Sequence, residues 1–213
     1  KRQVQKAIRT AGLVRGKHPY VLVIDDIRKD DQVQMYKWLM QVPSDLHVES
    51  MMVTDTENRK VAPNYRGPKP NYVCDVILAE MANMKDKSRG DKTNYGKRKL
   101  LVRVLENKQI ADHLHQTMEG VPAVLETYMK NPRWHGPGKR LVIPSRSIMP
   151  DYKVLLFPHM SGQELPVTLW NENRTKLTVK WNDQVDEFTF AKSALGRTLF
   201  TLNRDGKKVM ELK

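Results

Sequence analysis

The 213-residue sequence predicts an all-β protein, a large antiparallel β-sandwich with a short helical or irregular crossover. Three observations predict it. Apolar and polar residues alternate with a period of two through the C-terminal third. Short β-branched apolar runs recur through the rest. Turn-forming pairs such as Asp205-Gly206 separate the C-terminal runs.

The first run, Tyr20-Val-Leu-Val-Ile24, is continuously apolar and stopped by Asp25-Asp26, as a strand covered on both faces requires. Met35 to Met40 and Leu100 to Leu105 are further strand candidates, and Tyr72 to Ala79 places Tyr72, Cys74, Val76 and Leu78 on one face. Leu177, Val179 and Trp181 alternate with Lys176, Thr178 and Lys180, the pattern of a half-buried antiparallel strand. Asn182-Asp183 turns the chain into Gln184 to Phe190. Arg197 to Asn203 follows, and Asp205-Gly206 is a type I′ hairpin signal into Lys208 to Leu212. These strands form a meander.

Two stretches depart from the strand pattern. Asp55 to Asn71 carries Gly67, Pro63, Pro68 and Pro70 and reads as a long irregular loop. Lys108 to Lys130 spaces Ile110, Leu114 and Met118 by four and is interrupted at Gly120-Val-Pro122. It reads as one or two short helical turns between sheets, or as an ordered loop. A soft boundary is expected near 132–139, where Pro132, Gly136, Pro137 and Gly138 cluster, although strands on both sides can share one core.

The formal charge is +13, which favours polyanionic partners. The cations come in three stretches: Lys1 to Lys17, Lys97 to Arg103, and Lys130 to Arg146. The bland alternative for each is a set of solvated strand faces and loops. Nucleic acid is disfavoured, because aromatic content is 7% and no RNP-type aromatic motif or helix-turn-helix pattern is present. No apolar run is long enough to span a bilayer. The chain opens Lys1-Arg2-Gln3, without Met or a signal-type stretch, and reads as mid-protein sequence. The single cysteine, Cys74, excludes an internal disulfide and reads as a buried small hydrophobe.

Enzyme signatures are missing: no Gly-rich phosphate loop, no Gly-x-Ser-x-Gly elbow, no His-Glu-x-x-His. Asp25, Asp26, Asp30 and Asp31 lack the loop spacing of a calcium site and read as a solvated strand end and turn. His113-x-His115 has no third ligand nearby in sequence, and His18 and His159 sit beside prolines as loop histidines do. Arg133-Trp134-His135-Gly136 is the best candidate for binding. An indole stacks on a sugar face while Arg pairs with a carboxylate or sulfate; the alternative is that Trp134 anchors the loop in the core. The expected substrate-binding residues are Arg133, Trp134, His135, Lys139 and Arg140, with no catalytic residue and no metal ligand.

The run Gly16-Lys-His-Pro-Tyr-Val-Leu-Val-Ile-Asp-Asp-Ile-Arg-Lys-Asp30, followed by Tyr36-Lys-Trp-Leu-Met-Gln-Val-Pro43, resembles the β-sandwich segment of heparinase II/III-like polysaccharide lyases. Lys99-Leu-Leu-Val-Arg-Val-Leu-Glu106, Asp186-Glu-Phe-Thr-Phe190 and Gly196-Arg-Thr198 extend the resemblance over nearly the whole chain. It implies a supersandwich-type domain spanning 1–213, which frames the substrate cleft of a two-part enzyme. The other part is an N-terminal α/α toroid, expected before Lys1, which would carry the catalytic Tyr and its neighbours. The implied reaction is β-elimination on a uronic-acid polysaccharide, in the periplasm or outside bacterial cells. The implied partners are acidic polysaccharide and the helical domain of the same polypeptide, without nucleic acid or membrane. No cofactor is expected for the chain, the resemblance is compatible with a structural divalent metal in the parent enzyme, and alone the chain is expected to be inactive. A stand-alone carbohydrate-binding module for anionic glycans, using Arg133 and Trp134, is the competing expectation.

Overall fold

The computed structural model of the protein describes residues 4–43, 46–54, 60–61, 73–80, 97–108, 124–130 and 137–213. Among these residues there are β-strands and no helix. In chain order the strands are β1 (Lys6–Val14), β2 (Tyr20–Arg28), β3 (Gln34–Val42), β4 (Leu46–Thr54), β5 (Lys60–Val61), β6 (Val73–Glu80), β7 (Arg98–Glu106) and β8 (Val124–Lys130). They continue with β9 (Pro137–Ser147), β10 (Tyr152–Met160), β11 (Val167–Trp170), β12 (Lys176–Trp181), β13 (Gln184–Lys192), β14 (Thr198–Arg204) and β15 (Lys207–Leu212). The chain forms two compact units, one of Lys1–Gly12 and Tyr20–Ser161, the other of Leu13–Pro19 and Gly162–Lys213. The soft boundary expected near 132–139 falls on the connection from β8 to β9 and on the first three residues of β9, and these two strands pair with each other.

The first unit is a sandwich of two antiparallel sheets. One has seven strands in the order β1-β2-β10-β7-β6-β4-β5, and the other three in the order β3-β9-β8. The inner faces share one core: Val23, Cys74, Val76, Val102, Val104, Tyr152 and Val154 from the larger sheet, and Trp38, Val42, Leu141 and Ile143 from the smaller. Period-2 alternation selects them. In β3, Tyr36, Trp38, Met40 and Val42 turn inward while Met35, Lys37, Leu39 and Gln41 are exposed. Pro144 and Pro158 stand inside strands flanked on both sides, yet each lies past the last residue paired with the second neighbour. The β8 ladder ends at Val142 and the β2 ladder at Leu156, so no such ladder bond is lost there.

Polar side chains tie the two sheets together through backbone carbonyls. The Tyr152 hydroxyl donates to the Ile143 carbonyl at 3.0 Å, and burial pushes this phenol well above its usual range. Asn107 donates to the Pro144 carbonyl, and the Ser145 hydroxyl to that of Lys108, both at 2.9 Å. Each satisfies a group that would be costly to bury alone.

Three expectations need correction. Asp25 and Asp26 do not form a solvated strand end: β2 runs on to Arg28 and both carboxylates are buried. The Arg9 guanidinium makes this tolerable for Asp25, forking onto it at 2.7 and 2.6 Å and lying 5.7 Å from the Trp38 ring centroid. Nearby, Asp31 pairs with Arg28, and Asp30 accepts from the Gln32 amide and the Gln34 side chain. The second correction concerns the C-terminal end of the proposed crossover. Residues Val124–Lys130 form strand β8, not helix, because cross-strand pairing with β9 satisfies their backbone. Ile110, Leu114 and Met118, with the rest of residues 109–123, lie outside the described residues, as does Tyr72. The third concerns the irregular loop expected from Asp55 to Asn71: Lys60–Val61 forms β5 on β4, and the remainder lies outside the described residues.

The second unit is a five-stranded meander, β11 through β15 in order. Its alternation matches the sequence: Leu177, Val179 and Trp181 are buried, and so are Phe188, Phe200 and Leu202. Phe188 and Phe200 meet edge-on at 5.6 Å. Both central residues of the Asp205-Gly206 turn have positive φ, 47° and 79°, as a type I′ hairpin requires. Residues 13–19 are pinned to the meander by a buried carboxylate. Asp186 takes the Arg204 fork at 2.7 and 2.9 Å and the Gln184 amide at 3.0 Å. Arg204 also donates to the Arg15 carbonyl, and Gln184 accepts from the His18 amide. Gly16 sits against this network: a Cβ there would run into Arg204 Nη1 and lie 2.7 Å from Gln184 Oε1.

Candidate functional site

Of the five expected substrate-binding residues, Arg133, Trp134 and His135 lie outside the described residues, in the connection between β8 and β9. Lys139 and Arg140 are the third and fourth residues of β9 and, being consecutive in a strand, point to opposite faces. Lys139 pairs in register with the buried Val42 and donates to the Leu46 carbonyl of β4 at 2.9 Å. It is therefore a tie between the sheets. Arg140 pairs in register with Gln41 on one side and Glu126 on the other, which puts it on the outer face of the small sheet.

That outer face carries the cationic feature of the first unit. Arg140 donates from Nε to Glu126 Oε2 at 3.0 Å and approaches the same oxygen through Nη2 at 2.8 Å. Lys37, on β3, reaches across the sheet to Glu126 Oε1 at 3.8 Å. All three side chains are partly in solvent, at 33%, 33% and 50% exposure. Arg146, opposite Met35, extends the face along β9. Met35 and Leu39 leave 50% and 41% of their surface open on the β3 side. Lys37 and Glu126 were invisible as site residues in the sequence. They stand 89 positions apart, and only the register of two ladders brings them to one carboxylate.

Elsewhere, several cations among the described residues are paired with carboxylates. Arg9 is spent on Asp25, and Arg103 forks onto Asp75 at 2.7 and 2.6 Å, both residues buried. Lys99 holds both oxygens of Glu49 at 2.6 and 2.7 Å, and Lys153 is buried between Glu106 and Asp151. Burial draws opposite charges together because an unpaired ion inside a protein costs several kcal/mol.

The remaining chemistry-bearing groups fall into structural roles. Burial, with the Asp75 charge beside it, pushes the Cys74 thiol up to about 12, so it is no nucleophile at neutral pH. His159 is not in a loop: it lies in β10, is buried, and stacks on Phe157 with ring centroids 5.8 Å apart. His18 stacks on Trp181 at 5.0 Å and bonds Asp183 at 2.6 Å; this bond, with Lys17 at 3.4 Å, holds the Asp183 carboxyl below its usual range. Among the described residues no three His, Cys, Asp or Glu side chains are arranged to hold a metal ion. His113 and His115 lie outside those residues.

The sequence matches no family profile and no curated protein, and the fold matches no solved structure.

Proposed function

We propose that this chain is the β-sandwich portion of a polysaccharide lyase, framing the cleft in which a uronic-acid polysaccharide is cleaved by β-elimination. The observation that carries the reading is the ordered set of sequence segments that resemble the sandwich of heparinase II/III-like lyases. Two of them cover β2 and most of β3, strands from opposite sheets of a sandwich with one core. The net charge of +13 suits an acidic polymer. In β-elimination, cationic groups offset the uronate carboxylate while a base removes the adjacent proton. This chain's contribution is binding and framing; the proton-transferring groups belong to the helical domain that the resemblance implies.

The test is formation of unsaturated uronate product, followed by ultraviolet absorbance. Heparin, heparan sulfate, alginate and chondroitin sulfate would be incubated with this chain and with a longer parent polypeptide. Turnover by the parent alone is the expected result. Turnover by neither sinks the lyase reading, and turnover by this chain alone moves the catalytic residues into it.

A further inference from the structure

We propose that Glu126 occupies a carboxylate subsite built by Arg140 and Lys37, and that a uronate of an acidic polysaccharide displaces it. The proposal rests on the lyase reading for its ligand, and on geometry for its place. The Arg140 fork and the Lys37 ammonium converge on the two oxygens of one carboxylate, Oε2 at 2.8 and 3.0 Å and Oε1 at 3.8 Å. A planar guanidinium and a point-charge ammonium on opposite oxygens is an arrangement that recognises a free carboxylate.

The subsite is open to exchange. Each side chain is at least a third exposed, so the internal ion pair is worth little in water and is readily replaced. Its surroundings match a polysaccharide and not a protein core. Lys37, Arg140 and Arg146 lie on the same face of the sheet as Glu126. Beside them Met35 and Leu39 offer exposed apolar surface on the same face of β3, suited to the C–H side of a sugar ring. Glu126 thus holds the two cations in place when no ligand is present, and it limits affinity by competing for them.

The test uses the full chain with size-defined alginate oligosaccharides, which carry carboxylates and no sulfate, and measures affinity by calorimetry across a salt series. Glu126→Gln should bind up to about fivefold more tightly, a gain that misfolding cannot produce. Lys37→Gln with Arg140→Gln should bind about tenfold more weakly, with an unchanged thermal melt. Lys176→Gln with Lys180→Gln removes the same charge from exposed positions of β12 and should change affinity less than about twofold. Equal weakening in this control would reduce the effect to general polyanion attraction and overturn the subsite. So would unchanged or weaker binding by Glu126→Gln, or no binding by any variant. The lyase reading stands or falls separately, on turnover by the parent. Heparin in a parallel arm separates carboxylate from sulfate recognition: a gain by Glu126→Gln on heparin alone also overturns the proposal as stated.

Discussion

Replacing Arg103 by Met should destabilise the first unit far more than any surface substitution. Arg103 and Asp75 stand directly opposite each other on β7 and β6, and their side chains are 10% and 8% exposed. Two parallel bonds of 2.7 and 2.6 Å join them. At an effective dielectric of about 20, unit charges roughly 4 Å apart attract by about 4 kcal/mol. Methionine keeps the length of the side chain and removes the charge, which leaves Asp75 buried without its counter-ion. The expected loss is about 3–5 kcal/mol at neutral pH. Leucine at position 75 in the same chain removes the stranded charge, so the double variant should recover most of that loss. Hydrogen exchange followed by mass spectrometry reads the two units separately. Protection should fall in β6, β7 and β10 of the Arg103→Met protein, with β12 to β14 unchanged. A loss under about 1 kcal/mol, or a double variant as unstable as the single one, would refute the buried-pair reasoning.

Three further outcomes follow from other parts of the structure. Gly16→Ala should cost the second unit about 1–3 kcal/mol, because the new Cβ meets Arg204 and Gln184 while Asp186 holds both; unfolding of that unit at the wild-type denaturant concentration would contradict this. Cys74, with its thiol near 12, should resist iodoacetamide in the native protein and react once denaturant is added; rapid native labelling by mass spectrometry would show an open thiol. The Asp183 carboxyl is depressed on folding, so its contribution is present above the ordinary carboxylate pKa and lost as pH falls through the folded value. Asp183→Asn should therefore flatten the acid side of the protection–pH curve for residues 13–19, and an unaltered curve would remove the His18–Asp183 bond from the account.

The amino-acid pattern alone was sufficient for the fold class and for four of the five strands of the meander, β12 to β15. Where one sheet face is wet, as in β12 and β13, the period of two is written into Lys176 to Trp181 and onward. Asp205-Gly206 declares its own turn, since glycine and aspartate tolerate the positive φ that the hairpin needs. The pattern was silent on β1, β4, β9, β10 and β11, and it read the segments of β5 and β8 as loop or helical crossover. In β10 both faces are covered over most of its length, and an apolar run buried on both sides carries no periodic signal. It also misread Asp25-Asp26 as a stop, because a carboxylate's tolerance for burial depends on a partner 16 residues away.

The same limit governs the candidate site. Arg140 was legible as a cation near an aromatic loop. Lys139, its neighbour, looked equivalent until the β3 register turned it inward to the Leu46 carbonyl. Lys37 and Glu126 had no local mark at all. Residue type and local spacing determine which segments extend and which face of each is apolar. Register and sheet order decide which charges meet, because ladder pairing joins residues with no proximity in sequence, and electrostatic energy depends on the distance that pairing sets.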